Sequence, residues 1–206
     1  MPFTPQFGPS DAELISEDIA FKGFFTLARK RFRHRKFGGG WSGAFEREIF
    51  VKGDAAAAIL YDPINDTIGL IQQFRAGALA SEHGPWCLEV VAGLAEPGEP
   101  MEALILREIE EEAGIQQAKL IPITAYYSTP GCCDEKIHLY CALVDLTEAG
   151  GVFGVSHENE DILLSVYPAE QVFAAMLESR MNNAATLMGL LWLQLNRPQL
   201  RTGLPG

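Results

Sequence analysis

The chain has 206 residues, 48% of them hydrophobic and 21% charged, with a formal net charge of −11. Length and composition suit a globular domain with a well-buried core and room for a small N-terminal extension, and the acidity argues against nucleic acid or an anionic membrane as main partner. The start of the chain lacks the pattern of a secretory signal, and the apolar stretches 55–61 and 184–193 are too short or interrupted to span a bilayer. Cys87, Cys132, Cys133 and Cys141 match neither a zinc pattern nor a disulfide framework, which fits reduced thiols in a cytoplasmic protein.

In chain order, residues 1–12 read as a loose tail. Strands are expected at 19–28, 30–37 and 44–52, with a turn at Gly38-Gly39-Gly40. The run 29–37 alternates basic and aromatic side chains and reads as a solvated strand face or an anion-binding patch. The apolar runs 55–61 and 67–74 flank the turn signal Asp62-Pro63-Ile64-Asn65-Asp66 and predict a buried hairpin. A further apolar run covers 86–91. From 100 to 113 the period becomes helical, with Leu106, Ile109 and Ala113 on one side, Pro100 in the first turn and Gly114 as the stop. Strands resume at 119–127, 137–144 and 161–167. Helices at 169–179 and 184–195 close the order, the second with Asn182 and Asn183 as cap candidates. The succession reads as α+β or a mixed-sheet sandwich, with a β-rich extension over 1–52 and a main domain over 53–206.

Chemistry concentrates between Gly93 and Ile115. Glu108, Glu111 and Glu112 lie at i, i+3 and i+4, so their carboxylates share a helix face opposite Leu106, Ile109 and Ala113, with Glu110 towards the edge of the apolar side. Like charges at that spacing cost about 0.2–0.5 kcal/mol per pair on an isolated helix. A merely solvated face accounts for neither the lack of interleaved lysine nor the glycines at both ends. A hard divalent cation with oxygen ligands accounts for the first, and sharp turns around the helix for the second.

Written out, the segment is a glycine, five residues, Glu99, seven residues, then Arg107-Glu108-Ile109-Glu110-Glu111-Glu112-Ala113-Gly114-Ile115. It fits the Nudix box at every specified position, and the chain resembles Nudix hydrolases. The resemblance implies an α/β/α sandwich around a mixed sheet that cleaves a nucleoside diphosphate linked to another moiety, using Mg²⁺ or, in its place, Mn²⁺. It implies Glu108 and Glu112 as metal carboxylates, Glu111 supporting or joining them, and Arg107 holding a box glutamate, with Glu99 as its partner.

Beyond the box, Phe21-Lys22-Gly23-Phe24-Phe25, Arg47-Glu48, Gln73-Phe74-Arg75, Glu89-Val90-Val91-Ala92-Gly93, Ser128-Thr129-Pro130-Gly131, Glu158-Asn159-Glu160-Asp161 and Asn182-Asn183-Ala184-Ala185 resemble the ADP-ribose pyrophosphatase group. That resemblance implies hydrolysis of ADP-ribose to AMP and ribose 5-phosphate. Phe24 and Phe25 would face adenine, and Arg47, Lys52 and Arg75 would meet phosphate or ribose oxygens. Thr129, Pro130, Gly131 and Glu135 would serve the ribose, and Leu94 would line the site. Ala92 would give a backbone carbonyl to a metal, Glu160 would ligate it, and Glu158 would be the general base. A homodimer is implied, with exchanged N-terminal strands through which Phe24, Phe25, Arg47, Glu48 and Lys52 complete a neighbour's pocket. The alternatives are another nucleoside diphosphate sugar, such as GDP-mannose, and a sensor that binds ADP-ribose without cleaving it.

Overall fold

The computed structural model describes residues 3–155, 159–178 and 180–203. The chain divides into two compact units, one made of Met1–Gly53 with Tyr127–Glu135, the other of Asp54–Tyr126 with Lys136–Gly206.

In the first unit β1 (Ala12–Lys22), β2 (Thr26–His34) and β3 (Phe45–Val51) form an antiparallel sheet in the order β1-β2-β3. Sequence periodicity put the first two strands at 19–28 and 30–37, beyond a loose tail. The chain turns instead at Gly23, where an added Cβ would lie 2.7 Å from the Phe21 ring. Apolar Phe24 and Phe25, which read as strand, belong to that turn. The basic run meets acids on both sides, because the register sets Glu13, Glu17 and Asp18 opposite Arg33, Lys30 and Arg29, and Glu46 opposite Arg31. Glu13 accepts from Arg33 Nε at 2.6 Å. Such exposed pairs are individually weak, but opposite charges favour this register over a slip. β1 is exposed along its whole length, Leu14, Ile19 and Phe21 included, and Ala28 is the one fully buried residue in these three strands.

The second unit holds β4 (Asp54–Asp62), β5 (Thr67–Phe74), β6 (Trp86–Glu89), β7 (Val91–Leu94), α1 (Met101–Ala113), β8 (Lys119–Tyr127), β9 (Lys136–Leu143), β10 (Gly151–Phe153), β11 (Ile162–Pro168), α2 (Ala169–Leu177) and α3 (Ala184–Thr202). The main sheet runs β10-β11-β5-β4-β9-β8, and β4 pairs β9 in parallel while its other neighbours are antiparallel, so the sheet is mixed. Strand β4 shows why helices must cover both faces, since eight of its nine residues are buried. Ala57, Ile59 and Tyr61 pack with Val172, Phe173, Leu190 and Leu193 of α2 and α3. Ala56, Ala58 and Leu60 pack with Leu104, Ile105 and Ile109 of α1. This is the α/β/α sandwich. Among the described residues no helix is long and apolar enough to cross a membrane.

The β4–β5 turn is tied to the end of α3. Asp66, at φ +58, accepts from Tyr61 Oη at 2.8 Å and from Arg197 Nε at 2.8 Å, and pairs with Arg201. The Arg197 hydrogen bond, foremost among these contacts, holds its carboxyl below the usual carboxylate value. A depressed carboxyl stabilises the fold above its unfolded pKa, and that contribution disappears as pH falls through the folded one. Asp66→Asn, which tolerates the left-handed backbone, is therefore expected to lower stability at pH 7 by about 1–3 kcal/mol. Thermal unfolding at pH 7 and pH 3 checks this, and an equal gap at both pH values would refute it.

Candidate active site

The site is built where the sheet forks. Strands β4 and β5 pair only over Leu60–Asp62 and Thr67–Gly69. Beyond that point β7 takes over β4, with Ala92 opposite Ala57, and β6 takes over β5, with Glu89 opposite Ile71. Sequence showed one apolar run over 86–91. The break at Val90 follows from this change of partners, which the run itself does not reveal. The fork delivers Ala92 and Gly93 to the inner side of α1, where Ala92 N donates to Glu112 Oε2 at 3.2 Å.

Gly93 is required by contact. An added Cβ would lie 1.9 Å from Glu108 Oε1 and 2.6 Å from its Cγ, so that carboxylate rests on bare backbone. Because the side chain, not the main chain, must yield, Gly93→Ala is expected to leave Tm little changed while kcat/KM falls about 10- to 100-fold. Unaltered kcat/KM would show that Glu108 need not sit there.

Helix α1 buries Leu104, Ile105, Ile109, Glu112 and Ala113, whereas Leu106 is 40% exposed. This corrects the predicted apolar stripe of Leu106, Ile109 and Ala113 with the acids opposite. Glu108 and Glu112 belong to the inward side, Glu110 is exposed, and the backbone opening at Gly93 makes room for carboxylates where sequence expects an apolar side chain. Burial pushes Glu112 up to about 8, with repulsion from Glu108 and Glu160 adding to it and the Ala92 amide and Arg75 opposing. Burial also raises Glu108, with Glu111 and Glu160 adding and Arg107 opposing. Arg107 joins Glu99 (Nε–Oε1, 3.2 Å), Glu108 (2.9 Å) and Glu111 (3.0 Å), and its hydrogen bond to Glu99 lowers that carboxyl. The helix closes on Gly114 at φ +66, whose amide donates to Glu110 O.

Glu160 accepts from Val155 N at 3.1 Å and donates its own amide to Val155 O at 3.4 Å. Glu158 and His157 lie outside the described residues. No three His, Cys, Asp or Glu side chains among the described residues close into a ready ligand group. Glu112, Glu160 and Glu108 are each engaged with a partner of their own, Ala92 N, Val155 N and Arg107 respectively.

The remaining sequence candidates fall in both units. In the second, Leu94 is 39% exposed, and Arg75 donates Nε to Glu89 Oε2 at 2.7 Å. In the first, Phe24 is 94% exposed and meets Phe25 edge-on, while Phe25 also packs on Phe50. Arg47 lies over the Phe45 ring, and Glu48 faces Arg29 at 4.0 Å. Lys52 and Glu135, named separately from sequence, are partners of each other. Thr129 O receives the amides of Cys132 and Cys133, an exposed turn that contains Pro130 and Gly131. Sequence reading missed Glu89 as the buried partner of Arg75. The available signal was a lone glutamate inside an apolar run, because a buried strand does not carry an unpartnered charge.

Residues 51–187 match the family model described as the NUDIX domain. The chain is 43% identical over 198 residues to an ADP-ribose pyrophosphatase of Haemophilus influenzae, covering 95% of this chain and 91% of that one. It is 40% identical over 195 residues to the ADP-ribose pyrophosphatase of Escherichia coli K12, covering 95% and 93%. A GDP-mannose pyrophosphatase of Cronobacter sakazakii is 29% identical over 190 residues, covering 90% and 96%.

Proposed function

Because this chain belongs to the NUDIX domain family, we propose that it hydrolyses the diphosphate bond of ADP-ribose, giving AMP and ribose 5-phosphate. The reaction class rests on one observation: the complete box folds so that Glu108 turns inward over Gly93 and Glu112 inward onto the Ala92 amide, where they and Glu160 repel one another. The substrate follows from near full-length likeness to ADP-ribose pyrophosphatases rather than to GDP-mannose pyrophosphatases.

Mutually repelling, poorly solvated carboxylates are the donor set a hard cation favours, so the residues fit Mg²⁺, or Mn²⁺ in its place. Ala92 O, Glu108, Glu112 and Glu160 would hold it, with Glu111 in support. Bound there, it would neutralise diphosphate charge and acidify an attacking water. Arg107 restrains the outer edge of the carboxylate cluster through Glu99, Glu108 and Glu111. Arg75 and Leu94 line the substrate, and Arg75 offers a guanidinium to its oxygens. Glu158 takes the proton of the attacking water. In a homodimer Phe24 and Phe25 would face the adenine, and Arg47, Glu48 and Lys52 the polar groups, of a nucleotide in a neighbouring subunit's pocket, and Thr129, Pro130, Gly131 and Glu135 would serve the ribose.

The wholly exposed β1, with Leu14, Ile19 and Phe21 on view, supports a homodimer with exchanged N-terminal strands. Four free cysteines agree with a reducing cytoplasm. A Mg²⁺-dependent assay of ADP-ribose, GDP-mannose and ADP-glucose with product identification tests the function. ADP-ribose is expected to have the highest kcat/KM. Preference for GDP-mannose would overturn the substrate, and binding without turnover of any sugar would turn the chain into a sensor.

A further inference from the structure

Resting on the nucleotide-sugar hydrolase reading, the geometry points to Asn183 as a positioning residue: the cap of the last helix orients Arg75 through the buried carboxylate of Glu89. Arg75, at the end of β5, has a side chain 44% exposed, whereas that of Glu89 is 4% exposed. Glu89 Oε2 accepts from Arg75 Nε at 2.7 Å, and Oε1 accepts from Asn183 Nδ2 at 2.7 Å. Asn183 Oδ1 in turn accepts the Thr186 amide at 3.1 Å, the capping bond of α3, and the Thr186 hydroxyl at 3.2 Å. Thr186 is fully buried, and its hydroxyl accepts from Val90 N at 3.0 Å. The chain of bonds thus returns to the strand segment that carries Ala92.

This network has one consistent orientation. Both Thr186 donors require Oδ1 of Asn183, so Nδ2 has to face the carboxylate. With a single arginine partner, Glu89 would be free to rotate about its last bond. With both oxygens engaged, its plane is set, and the plane sets the Nε edge of Arg75. The terminal guanidinium nitrogens are then left for an anion. Hydrogen bonds of this kind hold a binding group within the tolerance that transition-state contacts need. The third helix is therefore part of the substrate pocket although none of its residues needs to touch substrate.

Asn183→Ser separates the two jobs, since serine caps a helix about as well as asparagine but has no amide to give Glu89. Some loss of Tm is expected from the missing donor whichever view holds, so the readout is a double-mutant cycle with Arg75→Ala, run on the best-cleaved sugar. Asn183→Ser alone is expected to lower kcat/KM about tenfold and to add nothing in the Arg75→Ala background. Equal losses in both backgrounds would overturn the inference. A second measurement does not depend on turnover. The Arg75 Nε–Hε peak in a ¹H–¹⁵N spectrum, identified by its absence in Arg75→Ala, should be sharp in the parent and exchange-broadened in Asn183→Ser. An unchanged peak would sink the inference even for a chain that cleaves no sugar, whereas absence of ADP-ribose cleavage with the expected peak behaviour would fault only the substrate.

Discussion

Replacing Glu112 by glutamine is expected to lower Mg²⁺-dependent kcat by about three orders of magnitude, the effect of roughly 4 kcal/mol of lost transition-state charge stabilisation. Its metal-free form should unfold at or above the parent's temperature. Both follow from one setting. The Glu112 side chain is almost wholly buried, receives one amide hydrogen bond, and stands near two other carboxylates. Glutamine keeps its shape and can still accept from Ala92 N, while removing the charge that burial disfavours. A variant that loses activity and Tm together would indicate a structural carboxylate instead.

The same carboxyl makes the metal-free protein sensitive to pH. Its folded pKa is raised to about 8 from an ordinary 4.5. Between those values the folded chain retains a proton that the unfolded chain has released, so stability falls as pH rises and levels off above the folded pKa. Thermal unfolding of chelated protein from pH 5 to pH 9 should show this slope in the parent and a weaker one in Glu112→Gln. A cation must displace that proton, so apparent Mg²⁺ affinity should rise through the same window.

The box helix was legible because its information is local: an acid spacing on one face, an arginine beside it and a glycine stop at Gly114. Asn183 was legible as a cap for the same reason, and its side chain does accept from Thr186 N. What sequence hid is set by partners far along the chain. Val90 breaks a strand because β4 and β5 separate. Leu106 is exposed and Glu108 faces inward because Gly93, fifteen residues before Glu108, leaves a space only a carboxylate fills. The first part of strand β1, before Ile19, escaped notice because every residue of β1 is exposed, so its apolar residues show no burial period. Asn183 reads as a cap locally, while its second bond, to Glu89 in β6, spans 94 positions.

The proposed base Glu158 and the proposed ligand Glu160 are told apart by their expected responses to metal. A Glu158→Gln variant is expected to lose about 10²- to 10⁴-fold in kcat with KM nearly unchanged, the range for removal of a general base. Glu160→Gln should act differently. Glu160 contributes to the charge felt by Glu108 and Glu112, so its loss should raise the Mg²⁺ concentration needed for half-maximal activity, with part of kcat recovered at saturation. The two residues are separated only by Asn159, which sits at φ +58. Titrating Mg²⁺ for both variants decides the matter. If added Mg²⁺ rescues Glu158→Gln and fails to rescue Glu160→Gln, the base and the ligand exchange places. A wild-type rate in Glu158→Gln would remove that residue from the proton transfer altogether.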